Sequence, residues 1–126
     1  MPHAKKGKIE STRIEYRAPD PAANPYLTFS VVLAAGMKGI EEGYALPDEA
    51  TNNIFEMTPA ARSAAGIEIL PQSLAEALDV MEGSALVQDA LGEHVFDYFI
   101  RNKRREWDSY KEQVTPWELA RYLEAL

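Results

Sequence analysis

Residues 13–27 read RIEYRAPDPAANPYL, and the change of period inside this stretch governs how the chain is laid out. The first five residues alternate: Arg13, Glu15 and Arg17 share one face, Ile14 and Tyr16 the other, which is the period of a β-strand. Pro19, Pro21 and Pro25 punctuate the next residues and exclude regular structure over APDPAANP. Asn24 then reads as a helix N-cap and Pro25 as the first helical position, where a missing N–H leaves nothing unpaired.

Working outward, a helix is expected over residues 25–42, stopped by Gly43. Leu27, Phe29, Val31, Val32, Leu33, Ala34, Ala35, Met37 and Ile40 cover nearly its whole circumference. A helix apolar all round has to be enclosed on every side, and the remaining segments are few and amphipathic. Either the chain is cut from something larger, or this is the central helix of a small helical domain. On the first reading, the exposed faces of residues 25–42 drive self-association, which light scattering would detect.

Residues 43–57 read as a polar loop. Thr58-Pro59 opens a short helix that ends near Gly66. Ser73 and Glu76 form a capping box for residues 74–82, closed by Gly83, and Ser84 caps another short helix ending near Gly92. A long amphipathic helix spans residues 93–113, with Val95, Phe96, Phe99, Ile100, Trp107 and Tyr110 at helical spacing. Thr115-Pro116-Trp117-Glu118 is a second capping box and opens a terminal helix through Leu126.

Bulk composition narrows the function classes. Lys and Arg total 13 against 20 Asp and Glu, and the resulting net charge of −7 repels nucleic acid and anionic membranes, so neither is an expected partner. Cysteine is absent, which excludes disulfides, thiolate metal sites and a cysteine nucleophile, and suits a reducing cytoplasm. The basic N-terminus is followed by no apolar h-region and so is not a signal peptide. The stretch over residues 26–40 is too short and too interrupted to span a bilayer. A soluble protein is expected.

Two guanidiniums flanking a carboxylate admit two readings. They form a structural ion-pair ladder on a solvated face. Alternatively they make a polyanion site, with the carboxylate as a hard ligand for Mg²⁺ or Mn²⁺ and the arginines gripping phosphate or carboxylate oxygens. Of the two histidines, His3 and His94, the latter opens the long helix, where a capping or surface role is expected. Arg101, Lys103, Arg104 and Arg105 alternate with Glu106 and Asp108 and read as a solvated face with helix-spaced ion pairs.

RIEYRAPDPAANPYL resembles a motif of the glutamine synthetase family, R-x-E-x-R followed by PDPAANPYL. The likeness continues through VVLAAGMKGI to GSALVQDALGEHVFDYFIRNKRREWDSYKEQVTPWELARYL, nearly the whole chain, and points to bacterial type I synthetases. The resemblance implies an α+β fold, with residues 1–126 as the C-terminal part of the catalytic domain. This part would be mainly helical, with one strand at residues 13–17 and a tail helix at 114–126. It also implies ATP-dependent ligation of ammonia to glutamate through γ-glutamyl phosphate.

By position, Glu15 resembles the ligand of the metal ion (Mg²⁺ or Mn²⁺) that bridges the ATP phosphates. Arg13 resembles the arginine on the nucleotide phosphates. Arg17 resembles the catalytic arginine beside the transferred phosphoryl group and the γ-carboxylate of the glutamate substrate. The family's other carboxylate ligands, metal-binding histidine, nucleotide-binding segments and ammonium-site aspartate lie upstream of this segment, so the chain alone is expected to be inactive.

Asn53-Ile54-Phe55-Glu56-Met57 aligns with the segment that carries a modified tyrosine in adenylylated members. Phe55 has no hydroxyl, which implies the non-adenylylated subgroup; Phe55 also reads as an ordinary core aromatic. The stripe Trp117, Leu119, Tyr122, Leu123 and Leu126 either covers the chain's own core or acts as the family's C-terminal thong in a dodecamer. Implied partners are the rest of the synthetase, neighbouring subunits and, in some relatives, a nitrogen-responsive regulator. A truncated, non-catalytic paralogue that binds synthetase subunits is the alternative.

Overall fold

A computed structural model describes residues 14–123. Six α-helices appear there: α1 (Pro25–Glu41), α2 (Pro59–Ala64), α3 (Leu74–Glu82), α4 (Ala85–Leu91), α5 (Glu93–Lys111) and α6 (Pro116–Tyr122), with a 3₁₀ turn at Ile54–Glu56. Local chemistry accounts for most of their ends. Asn24 Oδ1 accepts from the N–H groups of Tyr26 and Leu27 and so caps α1. At the other end Gly43 sits at φ 64°, Tyr44 N–H donates to Gly39 C=O (2.9 Å) and Gly43 N–H to Ile40 C=O (3.3 Å). That pair of bonds is a Schellman stop, and it needs the left-handed residue that glycine supplies.

The expected α+β fold is not what the chain forms. Among the described residues there is no strand, and residues 14–17 belong to no regular element. The physical reason is that a strand is completed by its neighbour. Its N–H and C=O groups need a second strand to pair with, and the described residues offer none. Arg13, the first residue of the expected strand, lies outside the described residues.

Smaller differences follow the same logic of hydrogen-bond supply. Ser73 Oγ caps Glu76 N–H, but the Glu76 carboxylate reaches past the cap to accept from Gln72 N–H at 2.8 Å, so only half of the expected box forms. Helix α5 ends at Lys111 rather than near Gln113. The Thr115–Glu118 box is complete in both directions. Residues 124–126, the expected end of the last helix, lie outside the described residues.

Helices α3, α4 and α5 pack together, and α1 lies on α4. The core is minimal: among the described residues only Leu78 on α3 and Phe96 on α5 are buried apolar side chains. Arg104 of α5 reinforces the α3–α5 contact. Its guanidinium pairs with Asp79 and Glu82 (2.7 Å to the latter) and approaches Ala75 C=O at 3.5 Å. Helix α1 has no buried residue at all, so the described helices do not enclose it.

Such a core has little stability to lose. Leu78→Ala, at about 2–5 kcal/mol for an enclosed leucine, is expected to abolish the cooperative thermal transition followed by far-ultraviolet circular dichroism. A second expectation concerns pH. Hydrogen bonds from the Thr115 N–H and hydroxyl hold the Glu118 carboxyl below its ordinary pKa. The folded pKa is the lower one, so this stabilisation is full above the unfolded value of ~4 and is lost as pH falls through the folded value. NMR shifts of residues 116–122 should report fraying of α6 over that window, and Glu118→Gln should remove the dependence.

Candidate functional site

The site is built outward from the start of α1. Asp20 Oδ1 accepts from Ala22 N–H at 2.7 Å, and Ala23 N–H donates to Asp20 C=O at 2.9 Å, closing a turn that runs directly into the Asn24 cap. Prolines and two side-chain caps thereby join residues 14–17 to the first turn of α1. Tyr16 lines an apolar cleft of about 440 Å³ together with Leu27, Val31, Met81, Leu91 and Phe99. Glu15 and Arg17 do not line that cleft.

Those two form an ion pair, Arg17 donating to Glu15 Oε1. The Arg17 side chain is 85% exposed and that of Glu15 40% exposed. At this exposure the attraction is screened and each group is available to a stronger partner. Arg17 uses only part of its five-donor fork, and the Glu15 carboxylate keeps an oxygen free of the pair. The arrangement can therefore offer one hard oxygen to a cation and one fork to an oxyanion, side by side. Arg13, the third member of the constellation, lies outside the described residues.

The donor set does not complete a metal centre. Among the described residues no cluster of three or more His, Asp or Glu side chains could hold an ion, and Mg²⁺ demands six oxygens in octahedral array. One glutamate supplies one of them. His94 is exposed, and the N-cap of α5 is Gly92 with no side-chain cap hydrogen bond, so the histidine does not cap the helix; His3 lies outside the described residues. The cleft beneath Tyr16 has no charged lining residue, so it offers no charge to a polyanion.

Elsewhere the basic cluster on α5 divides. Lys103 pairs with Glu106 within the helix, and Arg101 lies over the Tyr98 ring at 5.7 Å, as a solvated face requires. Arg104 differs: its bonds, Glu82 before Asp79, raise its pKa further above the ordinary value, so the tertiary clamp stays charged at every working pH. Sequence reasoning missed it, although Asp79 and Glu82 at i, i+3 on one helix mark a negative edge. Phe55 is 97% exposed, which removes the reading of it as a core aromatic. In α6, Trp117 and Tyr122 pack edge to face with centroids 6.0 Å apart while both remain largely exposed, so the tail stripe does not cover a core among the described residues.

Comparison with known proteins agrees with the sequence likeness. Residues 2–122 match the family model described as glutamine synthetase, catalytic domain. The glutamine synthetase of Mycolicibacterium smegmatis is 56% identical over 116 residues, 92% of this chain and 26% of that protein. Similar are those of the archaea Methanosarcina mazei, 53% identical over 116 residues (91% and 26%), and Methanococcus maripaludis, 48% over 120 residues (95% and 26%). Bacterial and archaeal relatives thus both stand near it, and the chain spans about a quarter of the length of the curated relatives it matches. Covering almost the whole chain at this identity, the match shows that the protein belongs to the glutamine synthetase family, within that family's catalytic domain.

Proposed function

We propose that this chain supplies the C-terminal part of a glutamine synthetase catalytic domain, contributing one metal ligand and two anion-binding arginines to ATP-dependent ligation of ammonia to glutamate. The observation that carries this reading is the exposed Glu15–Arg17 pair, just before the Asp20 turn and within the stretch that matches the family. Glu15 offers a carboxylate oxygen to the Mg²⁺ or Mn²⁺ that the nucleotide phosphates would share. Arg17 neutralises charge on the transferred phosphoryl group and holds the γ-carboxylate of glutamate. Arg13 contacts the nucleotide phosphates. Phosphoryl transfer needs positioning and charge neutralisation from such groups rather than a general base.

The finer assignments belong to the same proposal. The 56% identity to the M. smegmatis enzyme favours a bacterial type I synthetase. Phe55 at the position of the modified tyrosine favours the subgroup that is not adenylylated. A cytoplasmic setting, with the rest of the synthetase and neighbouring subunits as partners, accompanies the same reading. No helix among the described residues is long and apolar enough to cross a membrane. The remaining metal and nucleotide ligands come from other polypeptide, so the 126-residue chain by itself makes no glutamine.

A chimera tests this. Residues 2–122 are exchanged for the matching segment of the M. smegmatis enzyme, and glutamine formation is measured with Mg²⁺ or Mn²⁺. The chimera is expected to be active while the chain alone is not. Glu15→Gln and Arg17→Ala should each lower kcat by roughly 10²–10³, with Glu15→Gln also raising the metal concentration required. Wild-type turnover in both variants, or turnover by the chain alone, would overturn the proposal.

A further inference from the structure

The residues that carry Glu15 and Arg17 belong to no regular element, so no backbone ladder among the described residues holds them in place. Where they stand relative to α1 is decided by residues 18–24, which join them to the helix. Two side chains in that join accept hydrogen bonds from the backbone, Asp20 and Asn24. Asn24 acts on the helix, as its cap. Asp20 acts on the approach to it.

Two bonds close the turn at residues 20–23. Ala23 N–H donates to Asp20 C=O at 2.9 Å, and Ala22 N–H donates to Asp20 Oδ1 at 2.7 Å. Pro21 sits between them with φ fixed and no N–H of its own, so Ala22 offers the first N–H beyond Asp20 that the side chain can take up. The Asp20 carboxylate enters no ion pair among the described residues. The contact it makes there is the one that closes the turn.

On the near side of the turn, Tyr16, Ala18 and Pro19 line the apolar cleft together with Leu27 and Val31 of α1, while Arg17 between them does not. The chain thus follows the cleft wall as far as Pro19 and leaves it at Asp20 for the Asn24 cap. Pro19 and Pro21 fix φ on either side of Asp20. What the two rings leave open at residue 20 is closed by its own side chain.

We infer that Asp20 is a positioning residue: by closing this turn through a side-chain oxygen it sets where Glu15 and Arg17 stand relative to α1, without itself touching metal or substrate. The inference rests on the synthetase reading, in which Glu15 meets the divalent ion and Arg17 the transferred phosphoryl group. Such groups act only when held near a productive geometry, and a displacement on the order of 1 Å can cost ~10²-fold in rate. The turn requires an oxygen that accepts from Ala22 N–H, not a negative charge, so a carboxamide at residue 20 serves as well. A metal ligand at the same place would need the carboxylate that hard cations favour, and the two roles are thereby separable.

The chimera that carries residues 2–122 within the M. smegmatis enzyme provides the test. Asp20→Ala is expected to lower kcat ~10-fold and to weaken Mn²⁺ binding, followed without turnover by the electron paramagnetic resonance signal of free Mn²⁺, while the thermal midpoint stays where it was. Asp20→Asn should return both kcat and Mn²⁺ binding to those of the unsubstituted chimera. Unchanged kcat or unchanged Mn²⁺ binding in Asp20→Ala would overturn the inference. So would an Asp20→Asn variant as impaired as Asp20→Ala, which would mean that the negative charge counts, or a loss in Asp20→Ala that comes with a lowered thermal midpoint, which would mean a structural role alone. Glu15→Gln and Arg17→Ala are measured beside them. Full turnover in those two sinks the synthetase reading itself; loss there with none in Asp20→Ala sinks only the positioning role.

Discussion

The enclosure of Leu78 is the constraint on which the rest of the structure depends. It is the one fully enclosed side chain among the described residues, and α3, α4 and α5 are packed so as to enclose it. Apolar burial is non-directional, so it holds these helices together without fixing how far one is slid along another. Arg104 supplies the direction. Its contacts on α3, Ala75 C=O, Asp79 and Glu82, lie along one edge, and a fork reaching all three admits a single axial position for α5. Helix α4 is then placed between α5 and α1, α1 carries the Asn24 cap, and the cap carries the turn that presents Glu15 and Arg17.

How much of this was legible in the sequence depends on how far each signal reaches. Helix ends are decided within a few residues, so Asn24-Pro25, Thr58-Pro59, Ser84 and Thr115-Pro116-Trp117-Glu118 could be read directly, and the glycines at 43, 66 and 92 adopt the positive φ that stops demand. The half-formed box at Ser73 marks the edge of that legibility: which N–H the Glu76 carboxylate selects depends on the approach of the preceding turn. Alternation in RIEYR put Ile14 beside Tyr16, but only Tyr16 lines the cleft and Ile14 is exposed, because without a paired strand the period-two faces are not held. Whether extended backbone becomes a strand depends on a neighbour, and the described residues contain no such neighbour. Arg104 was illegible for the same reason, since its partners lie 22 and 25 residues away.

The candidate site shows a similar division between what a short segment can supply and what it cannot. The two charged groups precede a turn that is fixed by local chemistry, the Asp20 hydrogen bonds to Ala22 and Ala23. Coordination number is not fixed locally, because hard cations need a full shell of oxygens and this stretch contributes one carboxylate. An exposed ion pair such as Glu15–Arg17 has low intrinsic value, so a stronger partner for either group could open it.

Helix α1 joins these two themes. Its face toward α4 is committed by the packing that Leu78 and Arg104 enforce, so rotation of the helix cannot hide the exposed Tyr26, Phe29, Leu33 and Ile40 without undoing that packing. Apolar surface of this size calls for cover that the described residues do not supply.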